Sequence, residues 1–118
     1  MDSPYAELVH NATLGARYSA HAALLGRSVA GVEHASLTVG STDMGNVSLE
    51  VPSIHPTIAA APPDSSIHTE AFAVAAASPS GDLAVLDGAK AMAGVAVDLW
   101  ADPSVLTAAT EEWRSVTH

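Results

Sequence analysis

The sequence has no cysteine among its 118 residues. That excludes a disulfide scaffold and any zinc site built on thiolates. Basic side chains are nearly as scarce. Arg17, Arg27, Lys90 and Arg114 are the only four, against 13 acidic residues and a formal net charge of −9. Neutralising phosphates needs clustered Lys and Arg, so nucleic acid is not an expected partner. An anionic membrane surface is disfavoured for the same reason. No run of about 18 apolar residues free of charge occurs, so no membrane span is expected. The first residues lack a basic segment followed by an apolar one, so no signal peptide is read and the cytoplasm is the expected compartment. Aromatic residues number five: Tyr5, Tyr18, Phe72, Trp100 and Trp113. Alanine and valine supply most of the apolar content, and small side chains each bury little area, at about 25 cal/mol per Å². A chain of this length makes one domain at most, and its Ala-rich core is expected to be marginal alone.

What is present reads as helices around a few short extended segments. Residues 4–25 carry apolar positions at three- and four-residue steps, with Ser3 as N-cap, Pro4 at the first helical position and Gly26 at the end. A short strand is expected near 35–38, followed by a polar turn, Gly40 to Gly45. Asn46 to Val51 suits one helical turn or a strand, and Pro52 stops it. Ile54 to Ala61 reads as a strand interrupted by Pro56, and Pro62 to Ser66 as a loop. Thr69 caps a short helix reaching about Ala77, and Ser78-Pro79-Ser80-Gly81 reads as a break. Asp82 to Trp100 gives the clearest helical period. Its stripe of Leu83, Leu86, Ala89, Met92, Ala93, Ala96, Leu99 and Trp100 is expected to face the core. Asp102 and Pro103 open a last helix. Two or three strands need partner strands, and Ala-rich helices need a sheet to cover.

The residues able to carry chemistry are few. Asp43, His55 and His68 could together ligate one zinc ion, although the spacing has no diagnostic His pair. Taken alone, His55 reads as a hydrogen-bonded core or pocket histidine. His10 and His21 read as structural or solvent-facing, and His34 and His118 have no context. Ser41 lacks the Gly-x-Ser-x-Gly surroundings of a nucleophile. The glycine-bracketed loop lacks the Lys of a phosphate cradle. Glu111-Glu112 reads as a solvated helix face.

Three stretches in combination are more specific. Gly40-Ser41-Thr42-Asp43-Met44-Gly45-Asn46-Val47-Ser48, then Val51-Pro52-Ser53-Ile54-His55-Pro56, then His68-Thr69-Glu70-Ala71-Phe72 occur in that order. The order resembles the C-terminal end of zinc-dependent amidohydrolases and metallopeptidases, the family of aminoacylase, carnosinase-like dipeptidases and p-aminobenzoyl-glutamate hydrolase. The resemblance runs from about Ser3 to Trp113.

It implies an α/β fold: the C-terminal portion of a zinc-peptidase-type three-layer domain, helix-rich with two or three strands. The lid and the N-terminal catalytic part would be absent from residues 1–118. It implies two zinc ions in a complete enzyme, with His68 as the one ligand present here. It places Ser41, Thr42, Asp43, Asn46 and His55 along the pocket for an N-acyl or aminobenzoyl amino acid or a small dipeptide. The family's His-x-Asp motif, its bridging Asp and its Glu-Glu general base have no counterpart in this chain. The chain alone is therefore expected to be inactive, with an exposed sheet edge favouring self-association, either as a homodimer or by pairing with a missing N-terminal part. Two other readings stand beside this one. The chain could be a non-catalytic remnant that binds a partner, or a small module holding one metal on Asp43, His55 and His68.

Overall fold

A computed structural model describes residues 5–29 and 42–118. Five helices appear in it: α1 (Ala12–Leu24), α2 (Met44–Glu50), α3 (Glu70–Ala76), α4 (Pro79–Ala101) and α5 (Pro103–Thr117). No strand forms among the described residues, which corrects the α/β expectation. Among the described residues the sole strand-like feature is an isolated parallel bridge between His10 and Ser53. The segment expected as a strand at 54–61 is extended but unpaired. Pro56 and Pro62 each remove a donor. Its carbonyls are instead taken by α1 and the turn after it: Tyr18 Oη donates to Thr57 O (3.3 Å) and Arg27 Nη1 to Ala59 O (2.8 Å). The strand expected near 35–38 lies outside the described residues. No sheet edge is seen among the described residues.

The first helix starts eight residues later than its sequence period suggests. Tyr5 to His10 run extended, and Asn11 is the cap, accepting from Leu14 N at 3.0 Å. Ser3 and Pro4 lie outside the described residues. At the other end Gly26 takes φ +78°. Arg27 N donates to Ala22 O and Gly26 N to Ala23 O, both at 3.0 Å, which is the Schellman closure. That turn delivers Arg27 to Asp87, with Nε 2.7 Å from Oδ2, both side chains largely buried.

α4 starts earlier than expected. Ser78 caps it through Gly81 N, and Pro79 occupies the first position, so the supposed break is the helix start. α3 and α5 begin where the sequence places them, on Thr69 and Asp102.

α1 and α4 pack antiparallel. Partners of α1 and its turn at 21 and 27 meet α4 at 98 and 87. The contact is close because small residues line it. Ala22, Ala84 and Ala91 are buried. A Cβ added at Gly94 would sit 2.5 Å from the His21 ring. His21 Nε2 then reaches Asp98 Oδ2 at 2.8 Å. Leu14, Tyr18, Val95 and Ala109 complete the core.

The expected inward stripe of α4 largely faces outward. Leu83, Leu86 and Met92 are more than half exposed and Trp100 is 83% exposed. Ala89 and Ala93 are exposed too. The line that is buried is Gly81, Ala84, Asp87, Ala91 and Val95. α4 is apolar on both sides, and the closest packing against α1 selects its smaller side.

Asn11 joins three parts of this fold. It is 2% exposed. Its N donates to Ser53 O (3.0 Å), its Oδ1 caps α1, and its Nδ2 donates to Ala109 O on α5 (2.8 Å). Asn11→Ala is expected to lower the urea unfolding free energy by about 2 kcal/mol, roughly 1 for the cap and 1 for the buried hydrogen bond. Asn11→Asp keeps the cap but sets a buried carboxylate against Ala109 O, so it should cost at least as much. A loss below about 0.5 kcal/mol in Asn11→Ala would remove Asn11 from this role.

Candidate functional site

The residues expected to line a substrate pocket surround the start of α2. Ser41 lies outside the described residues. Thr42 Oγ1 accepts from Met44 N at 3.3 Å, so it closes the turn into the helix. Asp43 occupies the N-cap position without a capping bond, and it is exposed. Asn46 Oδ1 accepts from Ala6 N at 2.9 Å. Its carbonyl oxygen is thus engaged in holding the extended segment that precedes α1.

Ser48, which sequence reasoning did not single out, is the best-connected side chain of this region. It is fully buried. Its Oγ accepts from Val9 N (2.9 Å) and donates to Gly45 O (2.6 Å). Its carbonyl accepts from Trp113 Nε1 on α5 at 2.8 Å. Gly45 lets the backbones meet this closely: a Cβ there would fall 1.8 Å from Ala6 O. The polar residues of α2 therefore bolt the 5–11 segment to α2, while the Trp113 bond ties α2 to α5.

His55 is half-buried, and its Nδ1 is buried without a hydrogen-bond partner. His10 lies on the bridge opposite Ser53. Burial holds the His10 imidazole below its usual 6.5, and the positive charge of a protonated His55 nearby lowers it further. Glu112 is not the solvated residue that its sequence context suggests. It accepts from Ala12 N (2.6 Å), Thr13 N (3.0 Å) and Thr13 Oγ1 (2.8 Å) at the N-terminus of α1. Burial pushes its carboxyl up, but these three bonds outweigh that and hold it below its ordinary 4.5.

His68 sits exposed just before α3 with φ +62°, the left-handed region. Among the described residues no group of three or more His, Asp or Glu side chains could hold a metal ion. The zinc expectation is thereby corrected, both for the family pair of ions and for a single ion on Asp43, His55 and His68. These three side chains stand on separate elements, and only His55 is turned inward.

An open cavity of about 370 Å³ lies between the end of α1 and the extended segment, lined by Arg27, Ser28, Val29, Thr57, Ile58 and Ala59. Its one cation, Arg27, is already held by Asp87 and Ala59 O. The other feature is the outer side of α4. Leu86, Ala89, Ala93, Val97 and Trp100 form a continuous apolar strip there, opposite the buried line. Chemically, then, the described residues offer a structural polar network and an exposed apolar face. They offer no paired nucleophile and base. Among them no helix is long and apolar enough to cross a membrane.

No family model and no solved structure matches the chain. Among curated proteins it is similar to Xaa-Arg dipeptidase of Mus musculus, at 37% identity over 112 residues. The match covers 93% of this chain and 26% of that protein, so the chain spans about a quarter of the relative's length. The similarity links the chain to the superfamily of zinc amidohydrolases and dipeptidases, without giving it a specific enzyme identity.

Two of the shifted groups, His10 and Glu112, set two pH windows. His10 has a folded value below its unfolded one, so its contribution is complete above about pH 6.5 and is lost as pH falls from there toward the folded value. Glu112 is also depressed, but as an acid. Its contribution is complete above about pH 4.5 and is lost as pH falls through the lower folded value. Urea midpoints should therefore fall in two stages between pH 7.5 and 3. His10→Gln should flatten the upper stage and Glu112→Gln the lower one. A midpoint constant from pH 7.5 to 5.5 in the native sequence would contradict the His10 assignment.

Proposed function

We propose that this chain is a non-catalytic derivative of the amidohydrolase and dipeptidase superfamily that works as a partner-binding module through the outer face of α4. The observation that carries this reading is the inverted α4: its small residues are buried while Leu86, Val97 and Trp100 stand in water. A helix apolar all round normally has both sides covered. A contiguous exposed strip of this kind marks an interaction surface. The molecule is a slab only 20 Å thin, about two helices deep, and among the described residues no third layer covers this side of α4.

The absence of a metal-holding cluster among the described residues favours binding over chemistry. So does the way Asn46 and Ser48 are engaged in backbone contacts. A second reading is favoured by the 26% span of the dipeptidase relative. In it, residues 1–118 complete a catalytic domain whose other part is supplied by a separate polypeptide. Thr42, Asp43, Asn46 and His55 would then border the pocket for an N-acyl amino acid or small dipeptide, and amide hydrolysis would belong to the assembled pair.

The purified chain is expected to release no amino acid from N-acyl amino acids or dipeptides, with or without added zinc. Turnover that scales with chain concentration and disappears on chelation would overturn the binding-module reading. Leu86→Ser with Trp100→Ser should change the unfolding free energy of the isolated chain by less than about 0.5 kcal/mol, because both side chains are already exposed. The same pair should abolish complex formation.

A further inference from the structure

We infer that the cavity beside the turn after α1 is a binding site for a small aliphatic carboxylate, gripped by the unused end of the Arg27 guanidinium. The inference goes beyond the partner-binding reading and does not rest on it. Arg27 reaches the cavity already fixed in place. Its Nε donates to Asp87 Oδ2 (2.7 Å) and its Nη1 to Ala59 O (2.8 Å). Two of its three nitrogens are thus spent on positioning. Nη2 has no hydrogen-bond partner among the described residues. It is not one of their buried polar atoms left without a bond, of which His55 Nδ1 is the single case. Nη2 is therefore reached by water, and the open space that Arg27 borders is this cavity. A guanidinium presents its N–H groups as a rigid planar fork, which matches a carboxylate.

The lining sets the class of ligand. Ser28 and Thr57 bring hydroxyl groups that can donate to the same anion. Val29, Ile58 and Ala59 are apolar and suit a hydrocarbon tail. A purely apolar guest would leave the Arg27 fork without a partner, and a bare anion would leave the apolar wall wet. A carboxylate on a short aliphatic chain satisfies both. Phosphate fits less well. Arg27 is the one cation of the lining, and Asp87 already offsets its charge. One further negative charge is thus accommodated more readily than two. The volume of about 370 Å³ lies at the small end of the range for ligand cavities. The walls are braced before a guest arrives. Tyr18 Oη holds Thr57 O (3.3 Å), Arg27 holds Ala59 O, and the turn at Gly26 sets residues 27–29. A site fixed in advance loses little freedom on binding.

Amide NMR of the native chain, titrated with 4-methylpentanoate near neutral pH, tests this. Saturable shifts are expected at Ser28, Val29, Ile58 and Ala59, with a Kd of about 1 mM, as suits a ligand of this size. The isosteric amide, 4-methylpentanamide, should bind at least about tenfold more weakly, and so should inorganic phosphate. Ser28→Asp sets a carboxylate of the chain itself at the cavity and should weaken 4-methylpentanoate binding by about the same factor. Its helical circular dichroism should not change, because Ser28 is exposed and the pair of Arg27 with Asp87 is untouched. Arg27→Lys, which keeps the charge without the fork, should also weaken binding about tenfold. An amide that binds as tightly as the carboxylate overturns the role of Arg27. Phosphate that binds as tightly overturns the class of ligand. Shifts that grow linearly and spread beyond residues 27–29 and 57–59 overturn the site, and so does a folded Ser28→Asp chain that binds like the native one.

Discussion

The close approach of α1 to α4 governs the rest of the molecule. The His21 ring lies against Gly94, where even one added carbon would collide at 2.5 Å. At its closest approach the helix pair has small residues between its axes, here Ala22, Ala91 and Gly94. A hydrogen bond between His21 and Asp98 and an ion pair between Arg27 and Asp87 flank it. They fix the register more than they add stability, because burying charge offsets much of the Coulomb gain. Once the small side of α4 is committed inward, its larger side has nowhere to go but out. The exposed strip is therefore a consequence of the packing and not an accident of the surface.

Around this pair, single polar side chains do what a sheet would otherwise do. Asn11 ties α1 to α5 and to the 51–59 segment, while Ser48 ties α2 to the residues before α1. Glu112 supplies acceptors to the N-terminus of α1 from a helix about a hundred residues later in sequence. Each of these bonds satisfies a backbone group that would otherwise be left without a partner.

Local signals were legible in the sequence where one residue decides the outcome. Gly26 ends α1, Thr69 opens α3, and Asp102 with Pro103 opens α5, as their types dictate. Legibility failed where a distant partner decides. Ser3 and Asn11 are equally good caps by type, and only the Ala109 carbonyl, 98 residues away, favours Asn11. The α4 pattern gave the helix but not its inward side, because apolar residues on every face carry no phase. The 54–61 strand was inferred from composition, and its prolines and its bonds to Tyr18 and Arg27 leave it without a ladder. The family motifs carried the likeness to a dipeptidase, but a metal site depends on side chains converging, and motif order does not report that.

Two tryptophans separate the fold from the proposed association. Trp113 donates to Ser48 O inside the molecule, and Trp100 stands in water on the outer strip. The decisive measurement is fluorine NMR of the 5-fluorotryptophan-labelled chain, following the H₂O/D₂O shift of each signal as an amidohydrolase-type polypeptide is added. The account predicts that the Trp113 signal keeps a small solvent shift throughout, while Trp100 passes from a large shift to a small one as its face is covered. A Trp100 that stays fully solvent-shifted at every concentration of that polypeptide would contradict it.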